Sequence, residues 1–332
     1  MGRYPLKTAI GGFMRARNGY YAETSATTLR STLDTIDRDY SNLRAKNPEL
    51  KADPLNWGTP EVMAILLDMR KRGVSRNTQL TRVSALKQLL RYLGNGAMDR
   101  MRAESPQVFP RQETGRKPSL SEDQLSKVLR ASEGGKGWRG ECMRFMVWTY
   151  AYTGLRMNEL RTAEYSDLDT KSWTLRVSHP KGERTYGTQR VLPIPEPLRP
   201  IVLRFLDARD RELAKRGLLE SKPLVFAYKP NEPITKQTVH RWKVRTEKLS
   251  GVRFTVHGLR RTYGQTLLNR GVPIESVSIA LGHSTTVTTE KHYCRKDTDT
   301  ARLEIVRAFE KSDQPSVNPP LIDRKEQLPG YA

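Results

Sequence analysis

The sequence predicts a mostly α protein with a small β-sheet (α+β) in the second of two domains, behind a helical N-terminal domain. Three observations carry that expectation. Apolar residues recur at helical spacing through the first hundred positions, two short strand-like runs flank a turn in mid-chain, and a proline-rich stretch without periodicity separates the two regions. A length of 332 residues suffices for two ordinary hydrophobic cores.

Leu29, Leu33, Ile36, Tyr40 and Leu43 fall on one helical face. Val62, Ile65, Leu66 and Met69 fall on another, opened by "GTPE" with Thr59 as the expected N-cap and Pro60 at the first helical position. Val83, Leu86, Leu90 and Leu93 form a third stripe, closed by Gly94. These helices make a first domain over residues 1–103. The stretch "ESPQVFPRQETGRKPSL" (104–120) follows, and the interdomain linker is placed at 104–117. The second domain is expected over 118–311. It opens at Ser121, with Gln124 three residues on in a capping-box pattern. A helix through "ECMRFMVWTYAYTG" follows, then strands at "SWTLRVS" and "QRVLPIP" on either side of a turn at "HPKGERTYGT". "RPIVLRFLDARDRELAKRG" is a helix ended by Gly217, "PLVFAY" a short strand or extended segment, and "TKQTVHRWKVRTEKLSG" a basic helix. Helices resume from Val256 to the end of "EIVRAFEKS". The last runs from about Thr300 to Lys311, with Leu303, Val306 and Phe309 as its apolar face. Residues 312–332 read as a proline-rich flexible tail.

The formal charge of +22 is the most informative property of the composition. Such an excess attracts polyanions, nucleic acid foremost and a membrane surface second. The first 103 residues hold 18 basic against 9 acidic side chains, which leaves +13 for the remainder, so both regions are basic. Arg70, Lys71, Arg72, Arg76, Arg82 and Lys87 crowd the later helices of the first domain. They are read as a DNA-facing surface, against the ordinary alternative of a solvated face. Cys142 and Cys294 are too few for a disulfide framework, and no Cys/His spacing suggests a metal, so neither metal nor cofactor is expected. No run approaches the roughly 20 apolar residues of a membrane span, and the N-terminus lacks a signal-like stretch. A cytoplasmic protein is expected.

Four short pieces of the second domain carry chemistry. "TGLRMNEL" puts Arg156 past a helix end with Glu159 three residues on, and "SHPKGER" puts Lys181 in the turn between the strands. "VHGLRRT" puts His257 and Arg260 one helical turn apart on one face, and "LGHS" puts His283 at a helix end. Ten residues later, "VTTEKHYCR" holds Tyr293 in a polar, Thr-rich run without core spacing. A phosphodiester under attack passes through a doubly negative transition state, and arginine forks supply fixed donors to its equatorial oxygens. An imidazole can take the proton of an attacking phenol, and a lysine can protonate the leaving 5′-oxygen. A tyrosine nucleophile conserves the phosphodiester energy covalently, so the strand can be rejoined without ATP. No cluster of acidic residues suggests a two-metal site. Taken singly each residue has a competitor: Lys171 for Lys181, Arg261 for Arg260, Tyr263 and Tyr331 for Tyr293.

The ordered set resembles the tyrosine recombinase (phage integrase) family. Thr153-Gly154-Leu155-Arg156 with Glu159 and Leu160, the hairpin lysine Lys181, the H-x-x-R pair His257 and Arg260, the "LGH" histidine His283 and finally Tyr293 match its motifs in order. The resemblance implies a core-binding first domain, a catalytic second domain, Tyr293 as nucleophile, and Arg156, Lys181, His257, Arg260 and His283 around the scissile phosphate. Glu159 then orients a neighbouring basic group. It further implies double-stranded DNA with a specific recombination site as partner, a homotetramer on that DNA, and a last helix that docks into a neighbouring subunit. The family commonly has the tyrosine nine positions after the "LGH" histidine; here it is ten positions on. Integration or excision of a mobile element is the expected role. Chromosome-dimer resolution, a type IB topoisomerase and a catalytically silent DNA-binding protein are the alternatives.

Overall fold

The computed structural model describes residues 5–111, 118–180, 182, 187–283, 285–292 (the last two as backbone only), 302 and 306. The chain divides into two units, Met1–Gly115 and Arg116–Ala332, each built around its own hydrophobic cluster.

The first unit is helical throughout: α1 (Leu6–Ala16), α2 (Glu23–Lys46), α3 (Thr59–Lys71), α4 (Arg76–Tyr92) and α5 (Ala97–Glu104). The three stripes read from the sequence face its core, with Leu33, Ile36 and Tyr40 of α2, Val62, Ile65, Leu66 and Met69 of α3, and Val83, Leu86 and Leu90 of α4 all buried. Two helices were not anticipated. α1 buries Leu6, Ala9, Ile10 and Phe13, and α5 buries Ala97, Met98 and Met101. At the start of α3 the cap is Gly58 rather than Thr59, so Pro60 falls at the second helical position. The Glu61 carboxylate accepts the Gly58 N–H at 2.7 Å and anchors that end, leaving Thr59 free to be helical. The proline-rich stretch also begins inside this unit: Glu104 ends α5, Pro106–Val108 form a 3₁₀ turn, and Phe109 is buried in the core.

The second unit begins with α6 (Glu122–Glu133), where Ser121 Oγ accepts the Gln124 N–H at 3.2 Å and Gln124 Oε1 accepts the Ser121 N–H at 3.0 Å. Then come α7 (Gly137–Thr153), α8 (Met157–Arg161) and the strands β1 (Leu168–Asp169), β2 (Thr174–Val177) and β3 (Arg190–Pro193). β2 is central in an antiparallel sheet of order β1-β2-β3, with Leu175 opposite Leu192 and Val177 opposite Arg190. The two-residue β1 had no sequence signal. α9 (Arg199–Lys215), α10 (Lys236–Ser250), α11 (Val256–Asn269), α12 (Ile274–Leu281) and α13 (Thr286–His292) complete the described elements. α7 supplies the middle of the core through Cys142, Phe145, Met146 and Tyr150. "PLVFAY" forms no strand beyond one bridge from Pro223 to Glu164, yet Leu224 to Ala227 are buried. Instead of a ladder, the buried Arg209 guanidinium of α9 donates to the carbonyls of Ser221, Pro223 and Leu224, which gives donors to the carbonyls at the start of the extended segment.

Lys181 and most of its turn, Tyr293, Leu303, Phe309 and the tail 312–332 lie outside the described residues. Arg302 and Val306 are helical and exposed. Among the described residues no helix is long and apolar enough to cross a membrane.

α7 stops at Gly154, whose φ of +63° is left-handed and whose N–H reaches Tyr150 O at 3.2 Å. A Cβ there meets the Tyr263 ring of α11. Gly154→Ala should therefore cost about 2 kcal/mol or more, from the left-handed backbone and the displaced ring. Chemical denaturation measures it, and an unchanged midpoint contradicts the packing.

Candidate active site

Two helix ends and one helix start meet in the second unit. α12 closes at Gly282 with φ +63°, α7 closes at Gly154, and α8 opens at Arg156. Three successive carbonyls at the end of α12 each accept from a different guanidinium. Arg190 Nε donates to Ala280 O at 3.0 Å, Arg260 Nη2 to Leu281 O, and Arg156 Nη2 to Gly282 O at 3.0 Å. The last carbonyls of a helix lack intrahelical partners and carry the negative end of its dipole, so they suit cations. Arg260 exposes none of its surface and also donates through Nη1 to Gly154 O at 2.7 Å.

Glu159 lies behind Arg156. Its Oε1 accepts from Arg156 Nη1 at 2.8 Å and Arg190 Nη1 at 3.3 Å, while Oε2 accepts from the Arg156 backbone N–H and Arg190 Nη2, both at 2.8 Å. Burial works to raise its pKa, but the Arg190 fork, helped by Arg156, holds the carboxyl below the usual range.

His283 follows α12 directly, its N–H bonded to Ser278 O at 3.0 Å. Its Nε2 lies 3.1 Å from Arg260 Nη2, and its Nδ1 lies 2.7 Å from the hydroxyl of Thr289, a buried residue of α13. A guanidinium only donates, so Nε2 accepts and Nδ1 carries the proton toward Thr289. Burial, then the charges of Arg260, Arg156, Arg190 and His257, drive the imidazole pKa down from 6.5 to about 3. His283 is a neutral ring at any ordinary pH.

Arg156, His257, Arg260 and His283 line a single cavity of about 660 Å³, with His240 and Lys243 of α10 on another wall. None of its lining residues is acidic. Arg156 keeps a quarter of its side chain exposed, and among the described residues two of its five guanidinium N–H donors are committed. His257, at the second position of α11, is exposed, and the Thr255 hydroxyl caps that helix by accepting the Gly258 N–H at 2.8 Å. The arrangement suits an anion with several oxygens. Among the described residues no group of three or more His, Cys, Asp or Glu could hold a metal ion.

The structure thus brings together four of the six candidate catalytic residues and Glu159, while Lys181 and Tyr293 lie outside the described residues. Arg261 does not line the cavity. Tyr263, a competitor of Tyr293, is packed on Gly154, and burial pushes its phenol pKa up. In the first unit, Arg72 bonds Asp39 in a fork at 2.6 and 3.1 Å, Arg82 bonds Asp39 at 2.9 Å, and Lys87 pairs with Asp99 at 2.7 Å. Arg70 donates to Val108 O, Lys71 is exposed, and Arg76 is exposed at the first position of α4. Four site residues escaped the sequence reading: Arg190, Thr289, His240 and Lys243. Arg190 appears only as part of a strand, and Glu159, its partner, is 31 positions away.

The chain matches the Phage integrase family over residues 118–300. The tyrosine recombinase XerA of Pyrococcus furiosus is 27% identical over 237 residues, which are 69% of this chain and 74% of that protein. Among solved structures, the Tn1549 transposon integrase in complex with transposon right end DNA superposes with a TM-score of 0.64 at 19% identity, covering 91% of this chain and 99% of that one. The XerH site-specific recombinase bound to a palindromic difH substrate gives 0.65 at 18% identity, covering 92% and 85%. These two likenesses are of fold.

The depressed His283 pKa has a stability consequence. The unfolded chain takes up a proton near pH 6.5 that the folded chain refuses until about pH 3, so the stabilisation is complete above 6.5 and is lost as pH falls through that window. Relative to His283→Gln, the parent should lose stability below pH 6.5 by a fraction of the ~1.4 kcal/mol per pH unit that one proton allows. Paired denaturation curves at pH 7.5 and 5 measure this; a pH-independent difference between the two proteins contradicts it.

Proposed function

Because this chain belongs to the phage integrase family, we propose that it is a site-specific tyrosine recombinase (integrase) that cleaves and rejoins double-stranded DNA through a covalent 3′-phosphotyrosyl intermediate. One observation carries the reading: Arg156, His257, Arg260 and His283, drawn from three separate stretches of sequence, line one cavity that has no acidic lining residue.

In this reading the Tyr293 phenol oxygen attacks the scissile phosphorus, and the bond from phosphorus to the 5′-oxygen breaks. His257 takes the phenol proton, and Lys181 gives one to the departing 5′-oxygen. Arg156 stabilises the equatorial oxygens with its uncommitted N–H groups. Arg260 holds the floor of the site and donates to the neutral His283, whose two ring nitrogens are engaged by Arg260 and Thr289, so the ring fixes Arg260 and the wall of the cavity beside the phosphate. One phosphodiester is exchanged for another, and the reverse attack by a 5′-hydroxyl reseals the strand. The first unit binds the DNA, with Lys71 and Arg76 among its exposed cations, and recombination between two duplexes calls for a homotetramer working in the cytoplasm.

The finer role proposed is integration or excision of a mobile element; the fold is shared about equally with a transposon integrase and with the XerH recombinase, so it does not choose between roles. The Xer name of the Pyrococcus furiosus relative favours a second reading, resolution of chromosome dimers. The position of the preferred site decides between them: an attachment-like repeat flanking the gene for the first, a single chromosomal locus elsewhere for the second.

The test uses a duplex selected by the protein from a randomised pool and nicked beside the cleavage position. The protein should form a denaturation-resistant adduct with a DNA 3′-phosphate, and Tyr293→Phe should abolish it while binding persists. An undiminished adduct in that variant contradicts the assignment. Arg156→Ala should slow adduct formation by about 10²–10³-fold, as loss of an oxyanion donor does. Lys181→Ala should recover on a substrate with a 5′-bridging phosphorothiolate, whose sulfur leaves without a proton; equal slowness on both substrates excludes Lys181 as the acid.

A further inference from the structure

We propose that Arg190 is a positioning residue that keeps the charge of Arg156 available to a phosphate by neutralising Glu159. The inference rests on the reading of the cavity as a phosphodiester site.

The Glu159 side chain is 1% exposed, and Arg156 touches it through both its backbone N–H and its guanidinium. Alone, that contact is an internally neutral pair: a buried carboxylate draws the guanidinium back and cancels the field an incoming oxyanion would feel. Arg190 changes the sum. Its two terminal nitrogens fork onto the same carboxylate at 2.8 and 3.3 Å, so one anion is shared by two cations and a net positive charge remains on the cavity side. Arg190 itself is 9% exposed and does not line the cavity, whereas Arg156 is 25% exposed and does. The surplus charge is therefore presented through Arg156.

The surroundings fix Arg190 in that place. Its third donor, Nε, holds Ala280 O at 3.0 Å, which leaves the fork no rotational freedom. Gly282, at φ +63°, gives the guanidinium its room: a Cβ there would stand 2.6 Å from Arg190 Nη1. Arg190 also opens β3, opposite Val177 at the end of β2, and Lys181 falls in sequence between these two strands. The same side chain thus ties the base of the hairpin to α8 and α12.

A purely structural salt bridge and a charge-balancing one respond oppositely to removal of the carboxylate. The experiment compares wild type, Arg190→Ala, Glu159→Gln and the Arg190→Ala/Glu159→Gln double variant, each checked for folding by circular dichroism. Two readings are taken: orthovanadate binding by calorimetry, and single-turnover adduct formation on the nicked duplex. Arg190→Ala should weaken vanadate binding about tenfold, and the double variant should recover most of that loss, a coupling within the range for contacting residues. Adduct formation should follow the same order. A double variant no better than Arg190→Ala, an Arg190→Ala protein equal to wild type, or a wild type with no measurable vanadate binding overturns the proposal. If Arg190→Ala does not fold, Arg190→Lys carries the comparison, and its deficit must shrink in the Glu159→Gln background. Wild type that binds vanadate but forms no adduct counts against the recombinase reading alone, and the vanadate measurements then decide the role of Arg190 by themselves.

Discussion

The end of α12 is the constraint on which the rest of the site depends. Ala280, Leu281 and Gly282 offer three consecutive carbonyls, and Arg190, Arg260 and Arg156 each take one. Three guanidiniums so close repel one another, and one carboxylate, Glu159, is shared between two of them, Arg156 and Arg190. The helix dipole and the unpaired carbonyls offset part of the remainder. What is left over is a positive field facing the cavity, which an oxyanion completes. Arginine suits this role better than lysine because its weakly hydrated, planar group can be buried and still direct five donors.

The histidine and the two glycines follow from the same arrangement. His283 is the next residue after the α12 cap, so wherever the carbonyls are held, the imidazole is held with them. Buried, and beside fixed cations, it stays neutral, and Arg260 decides its tautomer by donating to Nε2. That choice sends the Nδ1 proton to Thr289 of α13, and Tyr293 follows the last residue of α13 in the chain. Gly154 and Gly282 close two helices with left-handed backbone and also admit a neighbour, Tyr263 in one case and Arg190 in the other. Each glycine thus combines a turn with a close approach that any side chain would block.

Local signals were legible in the sequence, and long-range ones were not. The stripes of α2, α3 and α4, the Ser121 capping box and the two strands around the turn are short-period patterns, and the described residues carry them where they were read. α1 has Leu6, Ile10 and Phe13 at helical spacing, but two glycines weaken the local signal of its 11-residue stretch. "PLVFAY" has strand composition, but Arg209 supplies its carbonyls with donors from a helix, and no ladder forms. Arg190 and Thr289 had no local mark, since their partners come from other elements. The same applies to Arg72 and Arg82: Asp39 lies 33 and 43 positions away, so their ion pairs could not be read from a run of basic residues.

The central claim is that the α12 carbonyls, the three guanidiniums and Glu159 together make a site for a phosphodiester in transit. A crystal structure of the protein on its selected duplex, with orthovanadate in place of the scissile phosphate, tests it most directly. The account predicts vanadate oxygens bonded to Arg156 and His257 inside the cavity. It also predicts Glu159 still forked between Arg156 and Arg190, and all three guanidiniums still on the α12 carbonyls. Vanadate bound outside the cavity, or Glu159 swung away from both arginines with the α12 contacts broken, would contradict it.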